Sequence, residues 1–201
     1  MKRMIIIVIA LSFFTACSVD ELKETAKKSF TEVVSASSVI TMVEDGVAHI
    51  KITADAHIDF ALDTNSQKDV YMAFKIQPFL DAGLDVSLLP VDVVVNGDML
   101  VFSFNIKDTK VGTNAVSQLS NVLDANRGLL TYHKELDHYG LKLGVHKFEW
   151  AKTMATNNKD AVFILDGDTL VSWGIDLDLV SGWSSAEIDG DSLLLLPISL
   201  D

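Results

Sequence analysis

Five histidines, 28 acidic residues and a single cysteine are the groups in this chain that could do chemistry. His133 and His138 bracket Lys-Glu-Leu-Asp, a run that looks metal-like at first. A gap of five, however, sets two imidazoles about 140° apart on a helix and on opposite faces of a strand, so only a loop brings them together. His49 and His57 share the outward phase of one alternating segment. Eight residues of strand separate them by about 26 Å, too far for one ion unless the segment folds back. His146 has no partner in sequence. The expectation for these histidines is polar strand or surface positions, with no metal held.

The acidic residues carry a stronger signal. After Lys159 there is no Lys, Arg or His, and the segment is rich in Asp. Asp166, Asp168, Asp176, Asp178, Asp189 and Asp191 could converge on Ca²⁺, a hard cation that takes six to eight oxygens. No window completes an EF-hand loop. Asp124-Ala-Asn126-Arg-Gly128 lacks the ligand at its fifth position and has its glycine one place early. Most of these Asp residues flank glycine, where a carboxylate bonding its own turn backbone is a sufficient local reason for them. A carboxylate pair for glycoside hydrolysis is open in principle, but the sequence selects no pair. Nucleophile-elbow, phosphate-loop, zinc-protease and dinucleotide-binding signatures are all missing, so no catalytic residue is assigned. Of the three tryptophans, Trp150 and Trp173 fall on alternating apolar segments. Trp183 lies in Ser181-Gly-Trp-Ser-Ser185, a loop composition, and is the one weak binding candidate.

Composition narrows the classes. The chain has 201 residues, 49% hydrophobic, with a formal charge of −12 and a pI near 4.7. Such a surface does not attract nucleic acid unaided. One Cys leaves no internal disulfide and no multi-cysteine metal site.

That Cys sits in a telling place. Lys2 and Arg3 precede a nearly unbroken apolar run over residues 4–14, and Phe14-Thr15-Ala16-Cys17 follows. A basic start, a short apolar run and small residues are the parts of a secretory leader, too short to span a bilayer as an anchor. Phe14-Thr-Ala-Cys17 resembles the lipobox of bacterial lipoproteins, with Phe14 where an aliphatic residue is usual. The resemblance covers residues 1–17 only. It implies a signal peptide over 1–16, acylation of Cys17, and a mature extracytoplasmic chain over 17–201. It also implies attachment to the membrane through acyl chains on Cys17. Ser18, in place of Asp, favours the outer membrane if the source has two.

The elements that must position these residues can be read from periodicity. Ser18, Asp20 and Glu21 start a helix whose stripe is Leu22, Ala26, Phe30, Val33 and Val34, predicting a helix over about 19–36. Thr113 as a cap and the stripe Ala115, Val116, Leu119, Val122 and Leu123 predict another over 114–126. From Val47 to Leu62 apolar residues alternate with polar ones, a strand of unusual length with Asp55 as a plausible bend. Leu141, Leu143 and Val145 change phase at Phe148 and Trp150, predicting a bulge near 146–147. Three look-alike segments, around Gly97, Gly167 and Gly190, predict hairpins near 91–106, 160–180 and 185–200. Their unequal spacing argues against a repeat period. The expectation is one α+β domain, a mostly antiparallel curved sheet of long alternating strands with the two helices on its apolar face.

Three functions compete at this level. The first is a non-catalytic envelope lipoprotein, a binding or structural module for an unknown envelope partner. The second is a carrier or sensor of lipids or other amphiphiles, held in a half-barrel cavity on the apolar side of the sheet. The third is an envelope hydrolase.

Overall fold

The structure is a computed structural model that describes residues 19–63, 68–106, 110–154 and 159–200. Its elements form two series of the same kind. The first consists of helix α1 (Val19–Val34), strands β1 (Ile40–Glu44), β2 (Val47–Thr53), β3 (Ala56–Ala61) and β4 (Val70–Lys75), helix α2 (Gln77–Asp81), a 3-10 turn at Val86–Leu88, and strands β5 (Val93–Asn96) and β6 (Met99–Phe104). The second consists of α3 (Ala115–Ala125), β7 (Leu130–His133), β8 (His138–Leu143), β9 (His146–Ala151), β10 (Ala161–Asp166), α4 (Gly167–Ser172), a 3-10 turn at Leu177–Leu179, β11 (Ser184–Ile188) and β12 (Asp191–Ile198). Each series builds one six-stranded antiparallel sheet. The strand orders, β1-β2-β3-β4-β6-β5 and β7-β8-β9-β10-β12-β11, match strand for strand. The chain is a duplicated unit, and its sequence carries a trace of that. Gly83-Leu-Asp85-Val-Ser-Leu88 returns as Gly174-Ile-Asp176-Leu-Asp-Leu179.

The hydrogen bonds repeat as closely as the elements. The Asp85 N–H donates to the Trp173 carbonyl and the Asp176 N–H to the Ala82 carbonyl, both at 2.8 Å. Between these two bonds Gly83 and Gly174 meet back to back. Both have positive φ, 102° and 89°, and a Cβ on either would stand 2.7 or 2.9 Å from the other's carbonyl oxygen. Only glycine fits such an approach. The pair marks a pseudo-two-fold axis between the halves. Further out, buried Asp69 and Asp160 pin the chain in the same way. Asp69 accepts from the Ile106 N–H at 2.9 Å and Asp160 from the Leu200 N–H at 2.7 Å.

The inner faces and the longer helices share one core. α1 packs on β9 and α3 on β3, so each helix covers the sheet of the other half. The stripe Ala26, Phe30 and Val33 is fully buried. Trp150 fixes α1 by donating its indole N–H to the Ala26 carbonyl (3.2 Å) and the Ser29 hydroxyl (2.9 Å). Its ring lies edge-on to Phe30, which also meets Phe60. Sheet meets sheet where Phe74 and Phe163 stand perpendicular, centroids 5.0 Å apart. Asn114, one residue beyond the expected Thr113, caps α3 through a reciprocal pair with Ser117. No helix among the described residues is long and apolar enough to cross a membrane.

The α+β class, the antiparallel pairing, both long helices and the hairpins near 91–106 and 185–200 are as expected. Four details differ. The single sheet is two sheets. The long segment from Val47 folds back at Ala54-Asp55, making β2 and β3 a hairpin. The phase change near 146–147 is a turn at Gly144 (φ 64°) and not a bulge. The hairpin expected near 160–180 is absent: Asp166 ends β10 and caps α4, its carboxylate accepting from the Thr169 N–H at 2.8 Å. Asp-Gly serves a helix start as well as a hairpin, because both need a short acceptor beside an unhindered residue.

Candidate functional site

The β7–β8 hairpin reverses the chain between the two spaced histidines and sets His133 directly opposite His138. In the same register Thr131 faces Gly140, and across β8–β9 Gly140 faces Glu149. Directly opposed residues share a sheet face, so all of these lie on the outer face of the second sheet. They form the polar end of a groove of about 690 Å³. Its floor is apolar, made by Val162 and Ile164 of β10 and Leu193 and Leu195 of β12. The β7–β8 turn, at Glu135 and Leu136, and the β11–β12 turn, at Ile188 and Asp189, wall it.

The polar end is only partly satisfied. Glu149 is buried, its side chain 4% exposed, and its ion-pair partners among the described residues are two imidazoles. His133 Nδ1 lies 3.4 Å from Glu149 Oε2 and His138 Nδ1 lies 3.9 Å from the same oxygen. His138 is 5% exposed, and its Nε2 is 3.0 Å from the Lys159 carbonyl, which can only accept. Nε2 therefore carries a proton, and in the neutral ring Nδ1 is a lone pair. Three buried side-chain atoms among the described residues have no hydrogen-bond partner: His138 Nδ1, Thr131 Oγ1 and Asp160 Oδ1. The first two belong to this cluster. Gly140 makes the room, because a Cβ there would collide with Thr131 Oγ1 and crowd the Glu149 side chain.

The first half is an internal control. The counterpart of Glu149, by strand register, is Asp59, and the counterpart of Gly140 is His49. His49 sits directly on the acid, Nδ1 to Asp59 Oδ2 at 3.2 Å, and the Ile50 N–H donates to Oδ1 at 3.2 Å. Burial pushes the Asp59 carboxyl above its usual range, against the pull of both His49 and His57. Burial likewise lowers His57. The fold-back at Ala54-Asp55 is what brings these two histidines to one acid. Where the second half has Val162 and Ile164, the first has Tyr71 and Ala73. The first outer face sets Tyr71 opposite its His49-paired acid, whereas the second carries the groove.

The other residues singled out in the sequence are placed elsewhere. Cys17 and the leader lie outside the described residues. The six Asp residues serve turns and caps: Asp166 caps α4, Asp176 caps the Leu177–Leu179 turn, and Asp178 accepts from the Ser185 hydroxyl. Asp168 lies in the first turn of α4, while Asp189 and Asp191 belong to the β11–β12 hairpin. Among the described residues, no three or more His, Cys, Asp or Glu stand gathered tightly enough to hold an ion as they are. Trp183 folds inward against Phe74 and Phe79, at 5.1 and 5.5 Å. His146 is buried, accepts the Asp166 N–H on Nδ1 at 3.0 Å, and is lowered by burial to about 4. Sequence reasoning missed Thr131, Gly140 and Glu149, which become neighbours only through strand register.

No protein-family model matches this chain, and no curated protein or solved structure shows significant similarity to it.

Proposed function

We propose that this chain is a lipid-anchored lipoprotein of a bacterial envelope, a non-catalytic binding module whose recognition surface is the outer groove of the second sheet. The leader anatomy and the lipobox-like Phe14-Thr-Ala-Cys17 support the anchor. One observation carries the binding role. In a duplicated unit, one outer face pairs its buried acid with His49 at 3.2 Å, and the other joins an apolar floor to an incompletely bonded polar end. A floor of Val162, Ile164, Leu193 and Leu195 beside Glu149 and two histidines suits an amphiphile, with its apolar part on the floor and its head at the cluster. Phe74, Phe102, Phe148, Trp150 and Phe163 are buried between the sheets. The amphiphile reading therefore belongs on the outer face and not in a half-barrel interior.

Displacement of a fluorescent fatty acid tests the groove. Uptake is expected for the wild-type chain, with loss in Leu195→Glu and retention in Val101→Glu, its counterpart in the first half. No uptake, or equal uptake by both variants, overturns the binding role. Intact mass of the chain recovered from bacterial membranes tests the anchor. A diacylated product beginning at Cys17 is expected, and an unmodified chain beginning at Met1 overturns it.

A further inference from the structure

We infer that the groove takes a single-chain amphiphile with an anionic head, a fatty carboxylate, and that Lys147, with Lys142 beside it, holds that head. This inference rests on the amphiphile reading of the groove and adds the sign of the head and the cations that read it.

Strand register lays out the face. Lys142 of β8 stands directly opposite Lys147 of β9, Lys147 opposite Ile164 of β10, and Ile164 opposite Leu195 of β12. Neighbouring strands lie about 4.8 Å apart, so these four residues form one row about 14 Å long on a single face. Two lysines occupy one end of the row and two residues of the apolar floor the other. Glu149 lies in the next row, two residues from Lys147 and so about 7 Å along the strand.

Charge decides the head. Like charges set directly opposite each other destabilise a sheet. Lys142 and Lys147 are such a pair, and neither ammonium has a hydrogen-bond or ion-pair partner among the described residues. Lys147 is half-buried and lines the groove, while Lys142 is exposed. The carboxylates of the groove do not answer them. Glu149 has His133 and His138 against it at 3.4 and 3.9 Å, and Glu135 and Asp189 stand exposed on the turns that wall the groove. The groove's other lysine, Lys159, reaches the Ser199 hydroxyl at 3.4 Å. An anion between Lys142 and Lys147 relieves their repulsion, and an alkyl chain leaving it runs over Ile164 and Leu195. The stem of Lys147 adds apolar surface to that path while its charge stays at the rim. At the matching positions the first half sets Lys51 opposite His57, which burial lowers, so that row carries a single full cation at neutral pH and leads to Ala73 in place of Ile164.

Three ligands of one chain length test this: decanoate, decanol and decylammonium, titrated by calorimetry into the full chain carrying Cys17→Ser, so that no acyl group of its own competes. Decanoate should bind about 10-fold or more tighter than decanol, the worth of a hydrogen bond to a charged group, and decylammonium should bind weakest. Lys147→Met keeps the stem and removes the charge. It should bring decanoate to within about 3-fold of decanol and leave decanol unchanged, and Lys142→Met should reduce the preference less. Lys51→Met, in the first half, should change nothing. Equal binding of decanoate and decanol, a preference for decylammonium, or a carboxylate preference that survives Lys147→Met overturns the anionic head while leaving the groove. Binding of none of the three overturns the amphiphile reading itself.

Discussion

Substituting Gly83 by Ala attacks the point where the two halves meet. At φ 102° an L side chain is strained whatever the space, at a cost of about 1–2 kcal/mol. The new Cβ would also stand 2.7 Å from the Gly174 carbonyl oxygen, a backbone atom that cannot swing aside. The halves must part locally, and that loosens the paired bonds from the Asp85 N–H to Trp173 and from the Asp176 N–H to Ala82. Each such bond contributes about 0.5–1.5 kcal/mol net. The expected loss is about 3–4 kcal/mol, a large share of a domain's usual 5–15 kcal/mol. Pseudo-symmetry demands nearly the same loss for Gly174→Ala, whose φ is 89° and whose Cβ would stand 2.9 Å from the Gly83 oxygen. The double variant should lose less than the sum by about 1 kcal/mol or more, because both act on one contact. Gly46→Ala is the control. Its φ is 76° with nothing within 4 Å, so only the conformational part, about 1 kcal/mol, should appear. Urea denaturation with shared m-values measures all four. A loss below about 1 kcal/mol for either single variant, or strict additivity, would refute the claim that this contact joins the halves.

Two further outcomes are expected. Burial holds His146 at about 4 where an unfolded chain titrates near 6.5, so the unfolded state takes up a proton the folded state refuses. Its contribution is whole above about pH 6.5 and falls as pH drops through 4, by about 3 kcal/mol in all. His146→Asn keeps an acceptor for the Asp166 N–H without titrating. Between pH 7.5 and 4 it should lose about 3 kcal/mol less than wild type, and equal losses would count against the burial argument. Trp150→Phe removes the indole donor to Ala26 and Ser29 and opens space under α1, costing about 2–3 kcal/mol. Amide exchange across residues 19–34 should quicken first, whereas uniform change across both sheets would show that Trp150 does not hold the helix.

Local physics was legible in the sequence, and register was not. The stripes of α1 and α3 and the alternation from Val47 reach the structure with boundaries shifted by a residue or two. The duplication was obscured by the third glycine motif. Leu165-Asp-Gly-Asp168 resembles the two hairpin turns but starts a helix, and counting it among them hides that Gly97 and Gly190 lie 93 residues apart (190 − 97), close to the 91 between Gly83 and Gly174 (174 − 83). Gly83-Leu-Asp85 and Gly174-Ile-Asp176 were the more informative pair, because a positive-φ glycine followed by a capping acid is demanded in both halves. The groove's polar end was hidden for another reason. A five-residue gap separates imidazoles on any regular element, and the turn that reunites His133 and His138 contains no glycine to announce it. Asp137 takes the positive φ instead, at 54°.

The comparison between halves separates what the fold needs from what it does not. The glycine contact, the buried Asp69 and Asp160, and the apolar inner faces occur in both, and each has a structural reason. A buried unpartnered polar atom costs about 1–3 kcal/mol, and the three among the described residues, at Thr131, His138 and Asp160, all lie in the second half, two of them in the polar end of the groove. The first half builds the same sheet with no such orphaned atom among the described residues, its acid held by His49 and the Ile50 N–H. The architecture therefore does not require the open cluster. A feature that destabilises the chain and that its own twin avoids calls for a reason outside folding, and the ligand head proposed for this groove would supply the missing partners.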